Sequence, residues 1–167
     1  FGGGAASGLT VHLEVPEGTP RGWPIFAHCL SCEKDSRAAL HIARARSRAG
    51  IGVLRFGFAG TWLTSAAEEE VSFASDVDDL RAAAEAMAAA GMPPALLVGH
   101  SLGGTAAIVA AAALPDVAAV VTIGAPADLQ HILRVCRPGD LDAIASEGEA
   151  SVEIAGRPFL IRRTFLE

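Results

Sequence analysis

The sequence predicts an α/β fold, in which a doubly wound, mostly parallel sheet carries helices on both faces. Continuously apolar segments of strand length occur at 51–56, 95–98 and 118–123, and each follows a segment with helical periodicity. Such strands are typical of parallel sheets, which are covered on both faces. The length of 167 residues allows one domain of ordinary size and excludes two full domains.

Two further strands precede these segments. Residues 9–15 alternate between apolar side chains such as Leu13 and polar ones such as His12, which predicts a half-exposed, antiparallel strand. Residues 23–27 predict a short buried strand. Pro24 lies near its start, where a missing N–H group is tolerated.

The first two helices have recognisable ends. One covers about 32–49, with Ser31 as its N-cap and Gly50 after its last turn. The next starts at Ser75, which is predicted to cap it together with Asp78. Its predicted apolar stripe consists of Val77, Leu80, Ala84 and Met87.

The last predicted elements are a helix at 102–114 and a hairpin formed by 152–154 and 159–161. We expect the hairpin region 150–163 to be the start of a cap. No repeat or linker divides the chain, so it is treated as one unit.

Charge and composition limit the partners. The chain has 13 basic and 19 acidic residues, a net charge of -6 and no basic run, which argues against nucleic acid or an anionic membrane surface as a partner. No uninterrupted apolar segment reaches the roughly 18 residues that span a bilayer. A soluble cytoplasmic protein acting on a small molecule is therefore predicted, without a membrane segment.

A G-x-S-x-G sequence, Gly99-His100-Ser101-Leu102-Gly103, joins the strand at 95–98 to the following helix. A strand, a tight turn and a helix N-terminus are the context that a nucleophile elbow requires. Ser101 is therefore the candidate nucleophile. The alternative is that Ser101 only caps the helix, with glycines permitting the turn.

A serine that attacks an acyl carbon creates an oxyanion, which needs donors about 3 Å away. The backbone N–H group of Leu102 is one candidate. The second is predicted in the loop His28-Cys29-Leu30, which leaves the strand at 23–27. The N–H group of Leu30 is the preferred donor, and Cys29 is the less favoured one.

A general base is harder to assign. Asp128 and His131 follow the strand at 118–123, but a histidine three residues after its acid could hardly reach Ser101. The alternative for this pair is a helix N-cap and a surface histidine.

The cysteines admit a competing interpretation. Cys29 and Cys32 form a C-x-x-C pair at a strand-to-helix turn, as in thioredoxin-like redox proteins. With Cys136 they are too few for a disulfide scaffold or a four-cysteine zinc site, so no metal and no cofactor are predicted.

Several blocks of sequence follow one another in a distinctive order: Phe26-Ala27-His28-Cys29, Cys32 with Lys34-Asp35, Leu54-Arg55-Phe56, 97–104, Ile123-Gly124-Ala125-Pro126 and Gly156-Arg157-Pro158-Phe159. Together they resemble the α/β-hydrolase half of bacterial bifunctional proteins that carry a C-terminal OsmC-type domain. The resemblance implies an α/β-hydrolase fold and a serine hydrolase. The sequence departs from the family pattern at 57–62, where the family has an acidic residue and a glycine-rich stretch.

In that family the acid and the histidine follow the serine on later strands. The resemblance therefore implies that 1–167 is an incomplete hydrolase domain, with its C-terminal strands, acid and general base beyond residue 167. By itself such a chain is expected to show little or no esterase turnover.

Three functions remain open. The first is a serine hydrolase of small esters or thioesters, working through an acyl-serine intermediate. The second is a non-catalytic hydrolase-fold module that supports a fused OsmC-type, peroxide-reducing domain. The third is the dithiol redox module.

Overall fold

The computed structural model describes residues 11–27, 37–57, 73–128, 134, 136–154 and 157–163. In chain order its elements are β1 (Val11–Glu14), β2 (Ile25–Ala27), α1 (Arg37–Arg48), β3 (Val53–Phe56), α2 (Phe73–Ala89), β4 (Leu96–His100), α3 (Leu102–Ala111), β5 (Ala119–Ile123), α4 (Pro138–Glu147), β6 (Glu149–Ile154) and β7 (Arg157–Arg162). No helix in this part of the chain is long and apolar enough to cross a membrane.

Strands β1 to β5 form a five-stranded sheet with the order β1-β3-β2-β4-β5. Strand β2 pairs in parallel with both β3 and β4, and β4 pairs in parallel with β5. Strand β1 is antiparallel to β3, with Leu13 opposite Leu54. The predicted α/β fold with a mostly parallel sheet is confirmed, and so is the antiparallel first strand.

Helices pack on both faces of this sheet. On one face, α2 and α3 cover a cluster of buried side chains that we call the α2–α3 cluster: Ile25, Ala27, Leu54, Leu80, Ala83, Ala84, Met87, Leu97, Ala106, Ala107, Ala110 and Leu114. On the other face, Ile42 of α1 packs against Phe26, Val53 and Val98. Because successive residues of a strand point to opposite faces, β4 contributes Leu97 to one cluster and Val98 to the other.

Two predicted helix boundaries are wrong. Helix α2 begins at Phe73, so Ser75 lies inside it and is not its N-cap. The Phe73 ring packs against the α2–α3 cluster, and tertiary packing of this kind overrides a local capping signal. Helix α3 ends at Ala111 rather than at 114, because the next N–H groups bond three residues back instead of four, as from Leu114 to Ala111. The predicted N-cap Ser31 lies outside the described residues.

Within the described sheet β5 is an edge strand, and it is not buried on both faces as predicted. Val120 packs against the α2–α3 cluster, whereas Val121 and Ile123 are 44% and 41% exposed. They point to the other face, where α1 packs mainly on β3 and β1. Edge position, which an apolar sequence does not encode, decides their exposure.

Helix α4 and a longer hairpin complete the described chain. Helix α4 was not predicted, although Pro138 in its first turn and Gly148 after its end, with φ 88°, are ordinary boundary signals. The N–H group of Arg137 donates to the carboxylate of Asp140 at 2.8 Å. Strands β6 and β7 pair from Glu149–Arg162 to Ile154–Arg157, which extends the predicted hairpin at both of its strands.

Candidate active site

Ser101 has an unusual backbone conformation. Its φ of 53° and ψ of -128° make it the one non-glycine residue with positive φ in the described chain. Such a conformation costs on the order of 1–3 kcal/mol and persists only where surrounding structure holds it. Ser101 lies between the last residue of β4 and the first residue of α3, at the carboxyl end of the parallel strands.

Backbone hydrogen bonds hold this turn from two sides. The N–H group of Ser101 donates to the carbonyl oxygen of Ile123, at the end of β5, at 2.8 Å. The carbonyl oxygen of Ser101 accepts from the N–H group of Gly104 at 2.8 Å. The turn is thereby attached to the neighbouring strand and to the first turn of α3.

Two glycines allow the turn to close. A Cβ atom on Gly99 would overlap Gly103 and Gly104, and it would lie 2.6 Å from the nitrogen of Gly104. A Cβ atom on Gly104 would lie 2.7 Å from the Cβ of Ala125. The crowded pair is therefore Gly99 and Gly104, and Gly104 lies one position beyond the G-x-S-x-G match.

The half-buried Ser101 side chain makes no capping hydrogen bond to α3. This observation speaks against the alternative in which Ser101 serves only as an N-cap. The N–H group of Leu102, at the first position of α3, has no acceptor within the helix. Leu102 is 3% exposed, so this donor lies in a protected turn. The other predicted oxyanion-loop residues, His28, Cys29 and Leu30, lie outside the described residues, as does Cys32.

The loop after β5 approaches the same end of the sheet. The hydroxyl of Thr105, one turn into α3, donates to the carbonyl oxygen of Pro126 at 3.0 Å. Asp128 is exposed, and His131 lies outside the described residues. The Asp128–His131 pair stays a prediction.

Three histidines are described, and two of them are remote from Ser101. His12 is on β1, three strands from β4, which at about 4.8 Å per strand places it roughly 14 Å away across the sheet. His41 is an exposed residue of α1, the helix that packs on the face away from α3. His100 precedes Ser101 and is half-buried at the end of β4.

A buried acid lies in the first turn of α2. Asp76 is fully buried, and neither of its carboxylate oxygens has a hydrogen-bond partner among the described residues. Burial, with a smaller contribution from the negative charge of Asp79, raises the pKa of Asp76 to about 8. The acid is therefore mostly protonated at neutral pH.

The hairpin region packs against the turn that carries Ser101. Leu102 shares a buried cluster with Cys136, Ile144, Val152 and Ile161, and Phe73 packs against it. We call this set the elbow cluster. Helix α4 and the hairpin therefore adjoin the start of α3, and burial within this cluster is one cause of the raised pKa of the Cys136 thiol.

Metal-binding residues do not gather in this part of the molecule. Among the described residues no three His, Cys, Asp or Glu side chains form a group that could hold a metal ion.

Comparison with known families identifies the fold. Residues 7–167 match the model of the alpha/beta hydrolase family. The chain belongs to this family. No protein of curated function matches the sequence.

Solved structures of other alpha/beta hydrolases resemble the chain. The esterase domain of a Rhodothermus marinus protein is 41% identical, with a TM-score of 0.73, over 99% of this chain and 64% of that one. A serine hydrolase without a lid from Xanthomonas campestris is 30% identical, with a TM-score of 0.61, over 71% of this chain and 56% of that one. Est1E from Butyrivibrio proteoclasticus, at 17% identity and a TM-score of 0.74, covers 95% of this chain and 63% of its own, and it supports the fold alone.

These shares mean that the chain spans less than two thirds of each of these three hydrolases.

Sequence reasoning located the turn at Ser101 but missed Asp76. The position of Asp76 in the sequence offered a signal. The buried side of α2 contains, at helical spacing, Asp76, Asp79, Ala83 and Met87. The predicted stripe is confirmed at Leu80, Ala84 and Met87, which are buried, but it included the half-buried Val77 and left out Asp76.

Proposed function

We propose that this alpha/beta hydrolase is an esterase that uses Ser101 as its nucleophile on small esters or thioesters. The observation that carries the proposal is the positive φ of Ser101 in a turn bonded on both sides, without a capping role for its side chain. Strain of this kind is common at sites where a side chain has to be presented for reaction. The 41% identity to an esterase domain supports the same reaction class.

In the proposed reaction the Ser101 oxygen attacks the acyl carbon, and its proton passes to a general base. The N–H groups of Leu102 and Leu30 stabilise the resulting oxyanion. The alcohol or thiol leaves with a proton from the protonated base, and water then hydrolyses the acyl-serine. We place the base outside the described residues, because His12 and His41 are remote from Ser101 and His100, the preceding residue of the strand, is expected to point away from it. The resemblance to the bifunctional family places the acid there as well.

The resemblance to bifunctional proteins extends the proposal. We infer a cytoplasmic enzyme whose natural protein also carries an OsmC-type domain, with a small acyl compound as substrate. A hydrolase half that lacks the acid or the base would instead support its fused partner without catalysis.

The proposal is tested by labelling the natural full-length protein with a fluorophosphonate probe. We expect one labelled serine, Ser101, and we expect S101A to lose the label together with at least about 1,000-fold of p-nitrophenyl acetate hydrolysis. The matched control is S151A, because Ser151 is an exposed serine of β6. Unchanged hydrolysis by S101A would refute the nucleophile, and a protein inert to several such probes would favour the non-catalytic module.

A further inference from the structure

A cavity lies at the end of the parallel strands opposite to Ser101. It has a volume of about 200 Å³, and its walls include Arg21, Trp23, Arg46, Ile51 and Leu96. Trp23 and Ile51 precede β2 and β3, and Leu96 begins β4. Five residues of β4, at about 3.3 Å each, separate the cavity from Ser101 by roughly 16 Å. The cavity is therefore distinct from the candidate active site.

The walls of this cavity are held by backbone hydrogen bonds between two loops. The N–H group of Arg21 donates to the carbonyl oxygen of Gly50 at 2.8 Å, and that of Gly52 donates to Gly22 at 3.0 Å. The indole of Trp23 covers Gly52 so closely that a Cβ atom there would overlap the ring. A ligand would therefore meet a preformed aromatic wall, with little ordering left to do on binding.

Two arginines give the cavity its charge. Arg46 is in the last turn of α1, and the side-chain carbons of Arg21 lie along Gly50. Within the described chain, neither guanidinium has a carboxylate partner, whereas Arg55 pairs with Glu14 at 3.1 Å and Arg162 pairs with Glu149 at 3.1 Å. Arg21 and Arg46 are exposed residues that both line this cavity, so it carries two positive charges in a protein with a net charge of -6.

We propose that this cavity binds a small aromatic anion. The carboxylate or phosphate of the ligand lies between Arg21 and Arg46, since guanidinium groups bind both anions through paired N–H donors. The flat apolar part of the ligand stacks on Trp23 and contacts Ile51 and Leu96. The site requires both parts, because an anion without a ring leaves the indole and the apolar wall unused.

The proposal is tested by calorimetric titration with phenyl phosphate and benzoate, which distinguish the two anions. Inorganic phosphate lacks the ring, and benzyl alcohol lacks the charge. We expect at least one aromatic anion to bind at millimolar concentration or below, more tightly than both of these probes, and to weaken as salt is added. R46Q and R21Q should each weaken binding roughly tenfold.

The matched control is R44Q, because Arg44 is an exposed arginine of the same helix that does not line the cavity. It should bind within about twofold of wild type. Circular dichroism establishes that each variant is folded, and R21Q provides the same test if R46Q is not. Absence of binding by both aromatic anions overturns the proposal. So does equal binding of benzyl alcohol or of inorganic phosphate, or an equal loss in R44Q and R46Q.

Discussion

Strands β4 and β5 are neighbours with similar apolar sequences, yet the protein uses them differently. Val98 of β4 is 8% exposed, while Val121, directly beside it in register, is 44% exposed. Strand β4 is paired on both sides, and β5 is paired on one side within the described sheet. The ends differ as well, because β4 leads into the crowded turn at Ser101, whereas β5 leads into Gly124, where a Cβ atom would meet no neighbour.

The central strand, β4, therefore has buried side chains on both faces and also leads into the candidate active site at Ser101. The strained turn at Ser101 follows a strand whose side chains are buried in clusters on both faces, so the strain is supported from both sides. The edge strand contributes a backbone acceptor, the carbonyl oxygen of Ile123, and it does not need full burial to do so.

The largest effect is expected where the central strand ends. G99A should destabilise the protein by about 3 kcal/mol, because its Cβ would overlap backbone atoms that cannot move independently. G124A should cost only about 1 kcal/mol, from the positive φ of 58° alone. Urea unfolding of both variants measures the contrast. Equal costs would mean that crowding does not distinguish the two turns.

An intermediate effect is expected in the helix layer that packs against β4. Asp76 has an ordinary pKa of 3.8 when unfolded and a pKa of about 8 when folded, so the folded state holds an extra proton between these values. The free energy of unfolding therefore falls as pH rises through this window, and it levels off above about pH 8. D76N removes that fall, so its stability relative to wild type should increase by about 2 kcal/mol between pH 5 and pH 7.

Urea unfolding of wild type and D76N at the two pH values measures this change. The control is D116N, because Asp116 is an exposed carboxylate in the loop before β5. A difference between D76N and wild type that does not vary with pH would show that Asp76 is not held protonated in the folded protein.

The smallest effect is expected for Val98 and Val121, which lie side by side on β4 and β5. V98T should destabilise the protein by about 1 to 2 kcal/mol, because it buries a hydroxyl in an apolar cluster. V121T should stay within about 0.5 kcal/mol of wild type, since its side chain is already in contact with water. Thermal unfolding resolves the two. A cost for V121T as large as that for V98T would indicate that β5 is covered in solution.

Much of the fold followed from local patterns. The apolar runs at 51–56 and 95–98 predicted β3 and β4, and Gly91, with φ 77°, ends the α2 region as expected. The start of α2 at Phe73 did not follow, because packing of an aromatic ring extended the helix past its polar capping signal. Helix α4 was missed because Ile144 is its one buried residue among those described, so its periodicity is weak.

The sequence by itself determined the strand, turn and helix around Ser101, because glycine positions and apolar runs act over a few residues. Tertiary structure decided which strand is central, which acid is buried and which arginines line a cavity. These properties depend on residues far apart in the chain: Asp76 is buried by a packed interior, and Arg21 and Arg46 line the same cavity. Burial and charge proximity are long-range quantities, and one sequence without its fold does not specify them.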